Sequence, residues 1–459
     1  MRFPRQEHGS PRIRVVRLAV AVVLLGACGD GAGPPDGPDP ELRRLLADAG
    51  VTALAPLPAQ DPALVALGRA LMFDKELSGN RDVSCATCHD PASHSSDGLP
   101  LSIGSGGVGA GAARTLGTAG QFVPRNAQEL FNRGYPEFTS MFWDGRVARR
   151  TGGGFDGPVG TALPDGISGP LAAQAMFPVF TRLEMRGQPG DRDRFGAPNE
   201  LADIADDDPA QVWAALMTRL RAIDEYVALF QAAYPGIPPE QLGFEHAANA
   251  LAAFQTAAFT SAGSPFDDYL RGDDDALTPA AKRGAVLFFG SAGCAQCHRG
   301  PHLSDQQFHN VGVPQIGPGF SPEEPQDFGR GGVSGVAGER YRFRTPPLRN
   351  VELTGPWMHD GAYNTLSATV RHYINAHEAL TTYDDSGIRT ELRGTYLDDP
   401  AILDAMLQTL DPAVQTALTI GDAQVEDLVA FLRALTDPAA ADLGALVPTS
   451  VPSGLPVGD

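Results

Sequence analysis

Cys85-Ala86-Thr87-Cys88-His89 returns 209 residues later as Cys294-Ala295-Gln296-Cys297-His298, and the reading of this pair decides the fold. In each run two thiols stand three positions apart with a histidine directly after them. That spacing ties one c-type haem to a chain, because the thiols add to the haem vinyl groups and the histidine becomes the proximal iron ligand. A zinc ribbon, the competing reading, places its Cys-x-x-Cys knuckles about 15–20 residues apart with no fixed histidine after each. The long separation argues against it. The chain reads as a diheme c-type cytochrome whose cofactors are two covalent haem c groups, held by Cys85, Cys88, Cys294 and Cys297 and ligated by His89 and His298.

The segments ahead of the two runs are alike. Gly68-Arg69-Ala70-Leu71-Met72-Phe73 precedes the first and Gly284-Ala285-Val286-Leu287-Phe288-Phe289 the second. The repeat predicts two cytochrome c-like helical domains, each laying a helix against its haem. Asp61-Pro62 followed by Leu64, Leu67, Leu71 and Met72 reads as a capped amphipathic helix. Further helices are expected over 209–223, 245–261, 279–289, 366–375, 401–410 and 423–435, and strand signals are few. The fold class is thus mainly α, two haem domains joined by long Gly/Pro-rich loops at 102–119, 152–169 and 312–338 that are expected to wrap the porphyrin edges. The expected division is a signal peptide 1–27, a flexible tether 28–45, haem domains 46–270 and 271–436, and a disordered tail 437–459.

Residues 1–27 carry Arg12, Arg14 and Arg17 and then an apolar run, Leu18 to Leu25, too short for a stable membrane span. Leu25-Gly26-Ala27-Cys28 resembles a lipoprotein cleavage site, so the fifth cysteine, Cys28, is expected to carry a lipid. Secretion with simple cleavage nearby is the alternative. Either way the protein is expected in the periplasm or cell envelope, touching the membrane through the anchor alone. The 55 acidic and 35 basic side chains give a net charge of −20. That leaves no basic footprint for nucleic acid and favours basic protein partners.

Beyond these features the chain resembles the bacterial diheme cytochrome c peroxidases and their MauG-type relatives. The resemblance runs from about Leu67 to Tyr373. It rests on Leu67-Gly68-Arg69-Ala70-Leu71-Met72-Phe73-Asp74-Lys75-Glu76-Leu77-Ser78-Gly79-Asn80, Arg125-Asn126-Ala127, Phe142-Trp143-Asp144-Gly145-Arg146, Gln174-Ala175-Met176-Phe177-Pro178, Glu184-Met185, Pro347-Leu348-Arg349-Asn350-Val351-Glu352-Leu353-Thr354 and His359-Asp360-Gly361. It implies a peroxidatic haem at His89, where hydrogen peroxide is split, in the N-terminal domain. An electron-transfer haem at His298 follows in the C-terminal one. By the same resemblance Trp143 relays electrons between the haems, Glu184 is the distal acid–base group and Gln174 orients peroxide. A calcium ion is implied at Asn126, Thr354 and Pro356; oxygen donors suit that hard cation.

Two departures from the peroxidase pattern sharpen the expectation. Where the peroxidases supply a second, capping histidine, this chain reads Ser102-Ile103-Gly104-Ser105, and His94 lies only five residues past His89. The first haem is therefore expected to be open to peroxide without reductive activation. Where the peroxidases place a methionine ligand for the second haem, Tyr373 stands here, as in MauG-type enzymes; a phenolate lowers the potential relative to a thioether. His372 and Met358 are rival ligands, and helical spacing lets only one of 372 and 373 face the iron. The implied activity is a diheme peroxidase drawing electrons from a small cytochrome or cupredoxin. The alternatives are MauG-type oxidation of a partner protein's tryptophan, and an electron shuttle without peroxide chemistry.

Overall fold

The computed structural model describes residues 39–118, 120–160, 163–320 and 325–458; the expected signal segment, Cys28 and the first part of the tether lie outside them. Helices form where a capping side chain precedes an apolar stripe. Asp61, Asp208, Thr278 and Asp399 accept from Ala63 N (2.8 Å), Gln211 N (3.0 Å), Ala281 N (3.1 Å) and Ala401 N (2.8 Å). Each opens a helix whose first residue is proline, where the missing N–H has no partner to lose. These helices are Pro62–Phe73, Pro209–Arg221, Pro279–Phe289 and Pro400–Gln408. Phe244–Ala258, Leu366–Ile374 and Asp422–Arg433 form where periodicity predicts them, within one or two residues at most ends. Strands among the described residues are two- or three-residue pieces in short antiparallel ladders, so the fold is mainly α.

Two helix pairs build two cores. Pro62–Phe73 packs along Phe244–Ala258, and Pro279–Phe289 along Asp422–Arg433. Both crossings depend on a glycine from the repeated segment: a β-carbon on Gly68 would overlap the carbonyl of Ala250, and one on Gly284 the carbonyl of Asp427. The repeat therefore encodes one kind of backbone contact, used twice. The first core gathers Phe73, Phe131, Phe138, Trp213 and Phe254, and the second Phe266, Phe288, Phe289 and Phe431. Phe266 and Tyr269, placed ahead of the expected boundary at 270, pack into the second core, because the short helix Pro265–Leu270 faces Phe289 and Phe431.

The two ends of the described chain each join the core farther away in sequence, which corrects two expectations. Residues 39–45, expected in the tether, belong to a helix, Asp39–Asp48, whose Leu42 and Leu46 lie fully or almost fully buried in the second core. Four residues apart, they share one helix face, and each such burial stabilises by about 1.5–3 kcal/mol. The expected disordered tail is ordered against the first core through Ala440, Val451 and the partly buried Leu443, Leu446 and Val457. Its polar groups are satisfied there: Ser453 Oγ donates to Asp74 Oδ1 (2.6 Å), and Gly458 O and Leu446 O accept from Lys75 Nζ (3.1 Å) and Arg69 Nε (2.9 Å). The Ala/Pro/Gly composition concealed these widely spaced anchors.

The loops carry more structure than their composition predicts. Residues 107–108 and 115–116 pair as a hairpin around Arg114, whose guanidinium donates to the carbonyls of Ile103 (2.8 Å), Gly104 (2.9 Å) and Gly109 (2.7 Å). Phe142-Trp143-Asp144-Gly145-Arg146 is the turn between the strands Ser140–Met141 and Val147–Arg149. No helix among the described residues is long and apolar enough to cross a membrane.

Adding a methyl group at either crossing should force the helices apart. Gly284→Ala is expected to lower the unfolding free energy by roughly 1–3 kcal/mol, as overpacking does, measured by denaturant titration of the haem-loaded protein. An unchanged midpoint would mean that the crossing is not backbone-limited.

Candidate functional site

Each Cys-x-x-Cys-His run folds as a single tight turn. Cys85–Cys88 is one helical turn after Ser84, and Cys294–Gln296 a 3-10 turn after Gly293, whose φ of 69° suits glycine. Both turns end in a histidine whose Nδ1 faces a backbone carbonyl: His89 to Ser95 O at 3.2 Å and His298 to Leu303 O at 2.9 Å. A carbonyl accepts only, so Nδ1 carries the hydrogen and Nε2 keeps its lone pair for a metal. Burial pushes both imidazoles below their usual pKa, which keeps them neutral.

Two cavities open beside these turns. The first is lined by Cys85, Cys88 and His89, the second by Cys294, Cys297 and His298. Both walls are mainly apolar, and each includes an arginine. Arg133 in the first and Arg344 in the second carry a buried Nη1 with no hydrogen-bond partner. An unpaired buried guanidinium donor is costly, and burial lowers the Arg344 pKa to about 9. Paired thiols, a free imidazole lone pair, an apolar slot and a guanidinium N–H left without an acceptor together fit a haem, whose edge carries carboxylates.

Gln174, from the helix Pro170–Ala175, and Glu184, from the five-residue π turn Arg182–Arg186, reach the same first cavity as His89. Burial pushes the Glu184 carboxyl above the usual carboxylate range, opposed by Arg146 and Arg125. Ser105 does not line the cavity. Its N–H donates to Glu184 O at 3.0 Å and its hydroxyl to Asp82 Oδ1 at 3.4 Å, so the loop braces the Glu184 turn from outside. His94 turns towards the C-terminal segment, its Nδ1 3.2 Å from Ala440 O. Among the described residues around this cavity, His89 is the one imidazole.

The second cavity separates the rival ligands. Tyr373 stands half-buried in its wall, its hydroxyl 4.0 Å from Met358 Sδ, and both of these side chains line the same space as His298. His372 points away: its Nε2 donates to Val311 O at 2.7 Å and its Nδ1 meets the Tyr363 hydroxyl at 2.9 Å. Burial first, then the Cys297 and Cys294 sulfurs push the Tyr373 phenol up, and a nearby cation would oppose that direction.

Among the described residues Trp143 alone lines both cavities. It is fixed at three points. Its Nε1 donates to Asn126 O at 3.0 Å, its carbonyl accepts from Arg344 N at 2.7 Å, and its ring lies 6.4 Å from that of His359. Asn126 in turn donates its N–H to His359 O at 2.8 Å and its side-chain amide to Leu99 O at 2.7 Å, which leaves Oδ1 as its free oxygen. Thr354 and Pro356 stand just before His359 on the strap that Asn126 touches.

Several residues of the site carry no local sequence signal. His309 stands in the second cavity between Asp305 Oδ2 (3.1 Å) and Asp411 Oδ2 (2.7 Å); Asp305, then the Cys297 sulfur and Asp411 push its pKa up to about 11. Arg125 bridges Asp144 and Asp327, a clamp scattered over 202 residues that no local pattern announces.

Comparison with known proteins agrees with this geometry. The family described as di-haem cytochrome c peroxidase matches residues 62–275. The methylamine utilization protein MauG of Methylorubrum extorquens is 33% identical over 319 residues, covering 69% of this chain and 70% of that one. The cytochrome c551 peroxidase of Pseudomonas aeruginosa is 31% identical over 312 residues, 68% of this chain and 71% of that one. Among solved structures, a MauG-like protein associated with microbial copper homeostasis superposes with a TM-score of 0.56 at 27% identity, covering 85% of this chain and 94% of that one.

Replacing Tyr373 by Met should raise the midpoint potential of one haem and leave the other unchanged, since a thioether stabilises the reduced iron relative to a phenolate. Two unshifted potentials in a spectroelectrochemical titration would remove Tyr373 from the coordination sphere.

Proposed function

The chain belongs to the di-haem cytochrome c peroxidase family that includes MauG, and on that premise we propose that it reduces hydrogen peroxide in the His89 cavity with electrons arriving through the His298 cavity. One observation carries the reading: Gln174 and Glu184 converge on the same space as His89, and no second imidazole lines that space among the described residues. A shuttle would need ligands on both faces of both irons.

When bound, the haem at His89 supplies the redox-active iron at which the O–O bond is split. The protein's task is to place peroxide and move protons. The Gln174 amide holds the substrate by hydrogen bonding. Glu184 accepts a proton from one peroxide oxygen and returns it to the other, so that the leaving group departs as water. Its raised pKa suits the first half of that task, because it makes the carboxylate a stronger base. Overall, hydrogen peroxide, two electrons and two protons give two waters. Trp143, in contact with both cavities, is the relay between them, and Arg133 and Arg344 answer the carboxylates at the haem edges. The same reading assigns the free Asn126 oxygen, with Thr354 and Pro356, to a calcium ion.

Tyr373 and Ser105 favour a second reading within the same chemistry, in which the oxidising equivalents are spent on a partner protein's side chain as the MauG-type resemblance implies. Steady-state turnover with reduced cytochrome c separates the two, since an enzyme that oxidises a partner should be slow in that assay. Both readings place the protein in the periplasm or cell envelope, with Cys28 as the lipid anchor.

Mixing the ferric protein with one equivalent of peroxide, with no reductant added, should change its spectrum at once, from a start of one high-spin and one low-spin haem. Glu184→Gln should slow that reaction by about 10²–10⁴-fold, the usual worth of a general acid–base group. The wild-type rate should rise with pH, since deprotonation creates the base, with a midpoint above the ordinary glutamate range because burial raises it. A Glu184→Gln protein that keeps full reactivity would strip the residue of its role.

A further inference from the structure

From Tyr373 a line of aromatic rings leads from the second cavity to an open groove. Ring centres lie 5.3 Å apart from Tyr373 to His372, 5.4 Å from His372 to Tyr363, 5.8 Å from Tyr363 to Tyr383 and 5.3 Å from Tyr383 to Tyr396. Tyr363 and Tyr383, both half-buried, line a wide open groove on the outside of the helix Leu366–Ile374. The polar wall of this groove includes Arg371, Asn375 and Thr382.

Packing alone does not require this chemistry. Edge contacts between rings contribute about 0.5–1.5 kcal/mol each, and phenylalanine provides them without a buried hydroxyl to satisfy. Here the hydroxyls are placed with care. Val311 O accepts from His372 Nε2, so Nδ1 is the acceptor, and Tyr363 donates to it at 2.9 Å. Tyr383 donates to Ala362 O at 2.6 Å. Phenols are among the few side chains that give up one electron at accessible potentials, and a hydrogen bond to nitrogen holds the phenolic proton ready for return.

We propose that Tyr363 and Tyr383, with His372, form a second electron route that joins the Tyr373 cavity to this groove, where small phenols bind and are oxidised one electron at a time. The inference rests on the peroxidase reading, which supplies the oxidant. Two phenols each lose one electron and one proton, peroxide takes both pairs, and the products are two phenoxyl radicals and two waters. Tyr383 and Tyr363 are each oxidised and reduced again as an electron passes inward. The Tyr363 proton stays in its hydrogen bond to Nδ1, and the half-exposed Tyr383 gives its proton to water in the groove when oxidised and takes one back when reduced, so the net protons come from the substrate. The groove suits a phenol because its wall offers tyrosine rings to stack on and polar groups for the hydroxyl.

The test uses the haem-loaded protein with 4-methylphenol as donor, comparing wild type with Tyr363→Phe and Tyr383→Phe. Each variant deletes one oxygen and should keep the wild-type haem spectrum, melting temperature and initial reaction with one equivalent of peroxide. Phenol oxidation should fall at least tenfold in both. With donor absent, a nitroso spin trap followed by peptide mass spectrometry should mark Tyr383 in wild type, and the mark should disappear in Tyr363→Phe. Wild-type phenol oxidation in both variants, or spin-trap labelling of Tyr383 that survives in Tyr363→Phe, would overturn the route while leaving the peroxidase reading intact. A wild-type protein whose spectrum ignores peroxide would overturn both.

Discussion

A single buried guanidinium holds the molecule together where the two cavities meet. Arg125 pairs with Asp144 at 2.6 Å and with Asp327 at 2.6 Å, and its flat face lies near the rings of Phe343 and Phe320. Although burial opposes it, Arg125 holds both carboxyls below their usual range. Breaking a pair of this kind by removing one partner costs about 3–5 kcal/mol, because a charge is left buried and unanswered. Asp144 belongs to the turn that carries Trp143, and Asp327 to the long loop that leads to Phe343 and Arg344. The clamp therefore fixes the indole, the first cavity's wall and the second cavity's wall in one contact.

The cores around that clamp follow a simple rule applied twice. A glycine in the helix ahead of each attachment turn lets a partner helix approach to backbone contact, and the turn that follows is thereby set against its cavity. The ends of the described chain then cross, Leu42 and Leu46 filling the second core and Val451 and its neighbours closing the first. Each haem region thus depends on residues from the other end of the sequence.

Electrostatics separates the two cavities by task. In the first, Glu129 is paired with Arg133 while Glu184 is pushed above the ordinary carboxylate range near a neutral imidazole, an arrangement suited to passing a proton. In the second, a phenol replaces the carboxyl and His309 is held as a cation between two aspartates, an arrangement suited to setting a potential. Both keep one arginine N–H without an acceptor until an anionic group arrives.

What the sequence alone determined was whatever depends on near neighbours. Two thiols and a histidine in five positions announce a haem wherever they occur, Asp-Pro and Thr-Pro starts announce helices, and the GRALMF and GAVLFF repeat announces two similar domains. Family likeness further singled out Trp143, Gln174, Glu184 and Tyr373, all of which the fold places in the cavity walls. Tertiary structure decided the rest. It chose Tyr373 over His372 as the side chain facing the cavity, since only packing fixes which way a helix turns. It ordered a tail whose composition looks unstructured, because a few apolar side chains several residues apart found a core already built by other segments. It also joined Arg125 to Asp327 across 202 residues, a pairing with no local signature, because burial energy is set by who is near in space and not by who is near in sequence.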